Sequence, residues 1–424
     1  MKKIIKKISF LIGLSAICYT AVFAESSKKI KINENGAKVP FEVLGTTKDN
    51  VEIRKGGFGS DASAFPGDNS KFYLVTDRGP NIDYTGPDGK GKMFPVPEFN
   101  PEICLFQFTK KGEVKLLKRI SLKNPEGKKL TGLPNPDGYG ATGELGYDLE
   151  NNILGTDEYG IDIEGLIAMS DGTFWVSDEY GPHIAHYSKD GIELERISPF
   201  GMKTNGRKLP AVFAKRRANR GMEGLTKTPD EKYLVGIMQS TMFNPSKKDI
   251  VNNRVVRIVK FELATGKCQT FLYQQNPETD SCCGIEALSN DEFIVIERDS
   301  KFPTSEEAHK YLNKISLKDA TDVTGDFEAE NGLLIDGKTL EQCTQQELID
   351  AGIVFAKKEV ITDLVKDRGY KHEKLEGIWL FDKNRVCVVN DNDFALIVKD
   401  NKLCQKILNG DTTAEDNIVY SVEF

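Results

Sequence analysis

Five carboxylates recur in one setting along this chain: Asp61, Glu164, Glu223, Glu286 and Glu376. Each opens a short, mainly apolar run, followed by a tight-turn signal and a second apolar run. The clearest copy reads Ile163-Glu164-Gly165-Leu166-Ile167-Ala168, then Asp171-Gly172, then Phe174-Trp175-Val176-Ser177-Asp178-Glu179. Polar groups also close the second runs: Asp77 in the first copy, Asp178 and Glu179 in the next, Asn390 and Asp391 in the last. In an antiparallel hairpin the start of the first strand lies beside the end of the second. Asp61 is therefore set beside Asp77, Glu164 beside Asp178 and Glu179, and Glu376 beside Asn390 and Asp391. Acids gathered this closely repel unless some are protonated or a cation lies between them. Oxygen donors suit a hard divalent ion, and Ca²⁺ takes about 6–8 of them. The expected metal set is Asp61, Asp77, Glu164, Asp178, Glu223, Glu286, Glu376, Asn390 and Asp391, with Ca²⁺ as the cofactor. The structural alternative for any one acid is that it accepts backbone hydrogen bonds and locks neighbouring strands together.

Holding such a set requires many short strands. Glycine is abundant, at 38 residues, and the apolar runs are rich in Val, Ile, Phe and Tyr. Leading acids in the middle of the chain stand roughly 60 residues apart, and a four-stranded propeller blade needs about 40–50 residues plus loops. The wider gaps, roughly 100 and 90 residues, leave room for another blade or for long loops. A further strand pair, Ile103 to Phe108 and Val114 to Ile120, has the character of an outer blade half. The expected fold is all-β, a β-propeller of four-stranded antiparallel blades. Six blades are favoured, with five or seven open. Residues 338–352 read as a helical insertion with a capping box at Thr344-Gln345-Gln346-Glu347. No Ser/Gly- or Pro-rich linker divides residues 25–424, so they form one expected domain.

Residues 1–24 have a basic start, an apolar run and small residues before Glu25. That is the layout of a secretory signal peptide cleaved after Ala24. The expected mature protein is exported, periplasmic or extracellular, and has no membrane span. The formal net charge is −7, and losing the leading lysines makes the remainder more acidic. Nucleic acid, which needs a basic face, is a poor partner for it. Seven cysteines follow Cys18 without a C-x-x-C pair, which argues against a zinc ribbon and for buried apolar thiols.

Asp391-Asn392-Asp393 lacks the glycine and closing glutamate of an EF-hand loop. His183 and His186 would face opposite sides of a strand, and solvated loop histidines are expected. Gly86 to Lys92 reads as a plain turn. No nucleophile elbow and no phosphate-binding G-x-x-x-x-G-K-[ST] loop is present. Arg78, Arg220 and Arg298 fall near mouth-side hairpin ends, where each could grip an anion or pair with a neighbouring acid.

At these residues the chain resembles the phytase-like esterase family of exported propellers. The resemblance rests on Val75-Thr76-Asp77-Arg78-Gly79-Pro80-Asn81, Phe94-Pro95-Val96-Pro97, Ser177-Asp178-Glu179-Tyr180-Gly181-Pro182, Glu223-Gly224-Leu225, and Glu376-Gly377-Ile378 with Asn390-Asp391-Asn392-Asp393. Three departures stand out: Asp61-Ala62 and Glu286-Ala287 where the other copies have Glu-Gly, and Met238-Gln239 where they end in acids. The resemblance implies hydrolysis of phosphate or other esters of a small molecule. It implies a catalytic set of Glu164, Asp178, Glu179 and Arg78, with Arg78 touching substrate. It also implies Ca²⁺ that neutralises phosphate oxygens and lowers the pKa of an attacking water. A lactonase resembling the regucalcin-like propellers, or a non-catalytic exported binding propeller, would use the same mouth. A monomer is expected.

Overall fold

The computed structural model describes residues 30–201, 207–408 and 412–424. The signal segment read at residues 1–24 lies outside the described residues. Five four-stranded sheets are antiparallel throughout. The first comprises Asp61–Ala64, Lys71–Val75, Glu102–Phe108 and Val114–Ser121. The second comprises Ile163–Ala168, Phe174–Asp178, Ile184–Tyr187 and Glu193–Ile197. The third comprises Met222–Lys227, Tyr233–Met238, Val255–Glu262 and Cys268–Gln274. The fourth comprises Ser281–Ala287, Glu292–Arg298, Lys310–Ser316 and Lys357–Asp363. The fifth combines Gly377–Asp382, Arg385–Val389 and Ile418–Glu423 with Ala37–Lys38, so the two ends of the described chain share a sheet.

The leading strand of each sheet packs against the leading strands of its neighbours, in the order first, second, third, fourth, fifth and back to first. These inner strands are covered on both faces, and Ile163–Ala168 is buried at every position. Wedges of apolar side chains fill the spaces between sheets. Phe72 of the first sheet stacks on Trp379 of the fifth at 4.7 Å between ring centroids. Ile167, Leu225 and Ile285 belong to one core shared by the second, third and fourth sheets. Burial of this kind contributes about 25 cal/mol per Å² of apolar surface, and it holds the inner strands in register with their neighbours.

The hairpin turns fall where the sequence signals them. Gly172 has φ +86° at the Asp171-Gly172 turn, where the Asp171 carboxylate accepts the Thr173 amide. The capping box at Thr344 and Glu347 starts the helix Gln345–Asp350. This insertion covers Val255 and Leu272 at the outside of the third sheet. A sixth four-stranded sheet is mixed, not antiparallel: Ile82–Gly86 and Gly89–Met93 form a hairpin, and Leu145–Tyr147 runs parallel to Gly89–Met93. Its Ile82–Gly86 strand packs against Leu396–Lys399 of an added hairpin. Among the described residues no helix is long and apolar enough to cross a membrane.

Candidate functional site

Three inner strands carry a bulge or begin at the same point, and the residue there is turned into the mouth. Ile163 pairs with Asp178 and Gly165 with Ser177, which leaves Glu164 as the extra residue. Met222 pairs with Met238 and Gly224 with Ile237, which leaves Glu223. In the fifth sheet Gly377 opens the strand opposite Val389, with Glu376 just before it. The following glycines are needed because neighbouring inner strands approach closely. A Cβ on Gly284, the matching glycine of the fourth sheet, would meet the Glu376 carbonyl.

The fourth sheet shifts the sequence-based alignment. Cys282 pairs with Glu297 and Gly284 with Ile296, so Cys283 occupies the position of Glu164 and Glu223. Glu286 lies three residues further along, where its carboxylate accepts the Leu380 amide at 2.9 Å and the Thr226 hydroxyl at 3.1 Å. Asp61 does the same work in the first sheet, accepting the Leu166 amide at 2.7 Å and the Ile378 amide at 3.3 Å. The structure therefore brings Glu164, Glu223 and Glu376 together and directs Asp61 and Glu286 to backbone groups of neighbouring strands. Burial pushes the Glu286 carboxyl up to about 6 and raises Asp61 well above its ordinary range.

Two groups of ligand atoms each lie within 4.8 Å of one another: Asp77, Asp162 and Glu164, and Glu223, Cys283 and Glu376. Glu179 and Asp391 flank them. Seven carboxylates thus converge, and the cations among them are Arg78, Arg298 and Lys374. Arg298 pairs with Glu376. Lys374 pairs with Asp391 at 2.7 Å and with Asp393 at 2.6 Å. Arg78 is buried, with its Nε 3.0 Å from Asp162 and its other nitrogens near Glu144 and Glu179. Burial first, and the crowding of acids second, shift their pKa values upward. Burial, then Glu223, Asp162 and Glu376, raise Glu164 well above the carboxylate range. Burial and Glu376 push Glu223 up to about 8, while Gln239 acts in the opposite sense. Burial pushes Asp391 up to about 7 against the pull of Lys374. Asp77 is raised by burial and by Asp162 and Asp391. Burial and Glu223 raise Glu179.

Other expected site residues lie elsewhere. Asp178 holds the chain beside the mouth: one oxygen accepts the Asp162 and Tyr180 amides, and the other lies 3.0 Å from His183 Nδ1. Asn390 bonds the Ile418 amide and the Asp416 carbonyl, tying down the last strand. His183 is fully buried rather than solvated, because Gly181 lets the ring pack against the chain. His186 stacks on Trp175 at 4.1 Å. Asp162, Cys283 and Lys374 were not singled out by the sequence. The alternation Asp162-Ile163-Glu164 carried a signal, since residues two apart on a strand share a face. All seven described cysteines are free, and five of them are buried.

A secreted protein of uncharacterised function from Arthroderma benhamiae is 26% identical to this chain over 292 residues, covering 55% of this chain and 57% of the relative. The chain thus spans little more than half of that relative's length. Virginiamycin B lyase from Staphylococcus aureus aligns with 82% of this chain and 95% of its own, at 13% identity and a TM-score of 0.31. A luciferin-regenerating enzyme aligns with 93% of this chain and 94% of its own, at 10% identity and a TM-score of 0.34. The family model described as phytase-like, esterase-like activity of phytase, matches residues 53–394, most of the chain and every acid of the mouth, and the protein belongs to that family.

Proposed function

We propose that this protein is an exported, metal-dependent ester hydrolase whose centre is the acidic mouth of a five-bladed propeller. The cyclic packing of five leading strands supports five blades, with the mixed sheet as an addition at the rim. The secretory layout of residues 1–24 and the secreted relative support export.

The observation that carries the reading is the mismatch of seven buried carboxylates against three cationic side chains. One Glu223 oxygen, Oε2, is buried without a protein hydrogen-bond partner. The all-oxygen group Asp77, Asp162 and Glu164 suits a hard cation, and Ca²⁺ is the ion proposed for it. The second group holds a thiol, which favours a softer ion, and Arg298 already balances Glu376 there. A bound cation would supply charge neutralisation at an ester oxygen. Glu223, whose carboxyl burial pushes up to about 8, would serve as the proton donor to a leaving oxygen. Arg78, held by Asp162, Glu144 and Glu179, stiffens that wall; its role is to position the acids rather than to reach for substrate. Asp178 fixes Asp162 from behind through the backbone.

The test is thermal unfolding of mature protein with Ca²⁺ and with chelator, alongside a screen of phosphomonoesters, carboxyl esters and lactones. A cation at a hundredfold excess over its dissociation constant stabilises by about 2.7 kcal/mol, so the Tm should rise with Ca²⁺ and fall with chelator. Ester turnover should follow the same dependence. No Tm response across millimolar Ca²⁺ would overturn the metal centre. Turnover of lactones alone would move the reading to a lactonase.

A further inference from the structure

The fourth inner strand departs from its neighbours by one atom type. Its bulge sets Cys283 where the second and third sheets set Glu164 and Glu223, so a thiol stands in place of a carboxylate. Glu223 of the third sheet and Glu376 at the start of the fifth flank it. Sγ of Cys283 and one oxygen of each acid lie within 4.8 Å of one another. All three residues are buried, Cys283 completely, and its thiol is not tied up in a disulfide. An apolar filler at this position would need to meet only Ile294, Ile296 and Ile378, with which Cys283 shares a core. The thiol instead also meets two carboxylates.

A second observation points to a ligand. Glu223 is only 2% exposed. Its Oε1 accepts the Gln239 amide, and its Oε2 has no hydrogen-bond partner in the protein. A buried oxygen left in that state is costly, and such atoms are rare unless something else satisfies them. The charges fit a divalent ion. With the thiol ionised, the three side chains carry three negative charges. The Arg298 guanidinium beside Glu376 offsets one, and a divalent ion offsets the other two. Burial raises the Cys283 thiol well above its ordinary range, and Arg298 acts in the opposite sense.

The donor set selects among divalent ions. Ca²⁺ takes about 6–8 oxygen ligands, and a thiolate is foreign to it. Zn²⁺ accepts thiolate and carboxylate together in a four-coordinate set, and three protein ligands with one open position suffice for it. Zinc bonds of about 2.0–2.3 Å set ligand atoms about 3.5 Å apart, so the trio would contract by about 1 Å on binding. We propose that Glu223, Cys283 and Glu376 form a second metal site, for Zn²⁺ or a similarly thiophilic divalent ion, separate from the all-oxygen group Asp77, Asp162 and Glu164. An ion held there ties up the Glu223 carboxylate, so it would oppose ester turnover. That consequence rests on the function proposed above; the binding of the ion does not.

The probe is Zn²⁺, titrated calorimetrically into mature protein held in saturating Ca²⁺. Binding of one Zn²⁺ per chain is expected, with no competition from Ca²⁺. Co²⁺ reports the donor atoms: bound to a thiolate it gives a charge-transfer band in the near ultraviolet, which added Zn²⁺ should erase. Cys283→Ser should abolish the band and leave the Ca²⁺ dependence of the Tm unchanged. Loss of an outer partner of a metal ligand costs about 10–100-fold in affinity, so loss of a ligand itself should weaken Zn²⁺ by at least about tenfold. Glu223→Gln should weaken Zn²⁺ by a similar factor while keeping the band, and it serves if Cys283→Ser fails to fold. Absent stoichiometric Zn²⁺ binding, displacement of Zn²⁺ by millimolar Ca²⁺, a missing band in the unaltered chain, or an undiminished band in Cys283→Ser would each overturn the proposal. Zn²⁺ binding without a Ca²⁺ response would remove the all-oxygen centre and leave this site standing; a Ca²⁺ response without Zn²⁺ binding would remove this site alone.

Discussion

Two rows of acids cross the inner strands, and they live under different rules. In the mouth row, Glu164, Glu223 and Glu376 stand at bulges or strand starts and crowd one another. In the row beneath, Asp61 and Glu286 spend their oxygens on amide and hydroxyl groups of neighbouring strands. The residue types are the same, and the distance along the strand is one to three residues. What differs is the supply of backbone donors. A carboxylate beside free amides becomes a staple between sheets; one at a bulge has no such amides and is left with charge to balance. The mouth row therefore keeps unbalanced charge, and the lower row ties neighbouring strands together.

Substitution in the lower row should give the largest effect. Asp61→Leu leaves the Leu166 and Ile378 amides buried without an acceptor, and each such orphan costs about 1–3 kcal/mol. A loss of about 3–5 kcal/mol in urea unfolding is expected, with or without cation. Glu164→Gln in the metal-free protein should instead be neutral or stabilising, because burial, then Glu223 and Asp162, already disfavour the charged form that the amide cannot adopt. It should also abolish the Ca²⁺ dependence of the Tm. Equal destabilisation by the two changes would erase the distinction between the rows.

The pH dependence sharpens the comparison at the next scale. Glu223 rises from 4.5 to about 8, and Asp391 from 3.8 to about 7, with burial the leading cause of both. The folded state therefore binds these protons more tightly than the unfolded chain does. Their contribution is fully present below about pH 4 and is lost as the pH rises through 7 to 8. Metal-free protein should lose stability between pH 5 and pH 8, and Ca²⁺ should flatten that slope. Metal-free protein as stable at pH 8 as at pH 5 would mean that the mouth acids are balanced by protein cations alone.

Much of this was legible in the sequence, for physical reasons. Turns such as Asp171-Gly172 carry local chemistry, and alternating apolar runs report burial directly, so the hairpins and their leading acids could be read. The register of the fourth sheet could not. Glu286-Ala287-Leu288 matches the Glu-Gly-Leu pattern in charge, yet the bulge follows the close approach at Gly284, which makes Cys283-Gly284-Ile285 the true counterpart. Glycine placement was a better guide than charge. Asp178 shows the same limit: its place in Ser177-Asp178-Glu179 carries no trace of the buried His183 whose Nδ1 lies 3.0 Å from its carboxylate. Blade count is the part that spacing alone does not carry: a mixed four-stranded sheet and an antiparallel repeat occupy similar lengths of chain.

The smallest expected effect belongs to Glu286, and it tests where the mouth ends. Its carboxyl is pushed up to about 6 by burial, so at pH 7 the folded protein carries the cost of a buried charge partly offset by the Leu380 amide and the Thr226 hydroxyl. Glu286→Gln keeps a carbonyl oxygen for the Leu380 amide and offers its amide group to the Thr226 oxygen. It also removes the buried charge. The gains and losses nearly cancel, and a change within about 1 kcal/mol at pH 7 is expected, with the Ca²⁺-dependent Tm and ester turnover both unaltered. Loss of the Ca²⁺ response in this variant, with the fold intact, would extend the ligand-bearing region down the fourth inner strand and merge the two rows into one site.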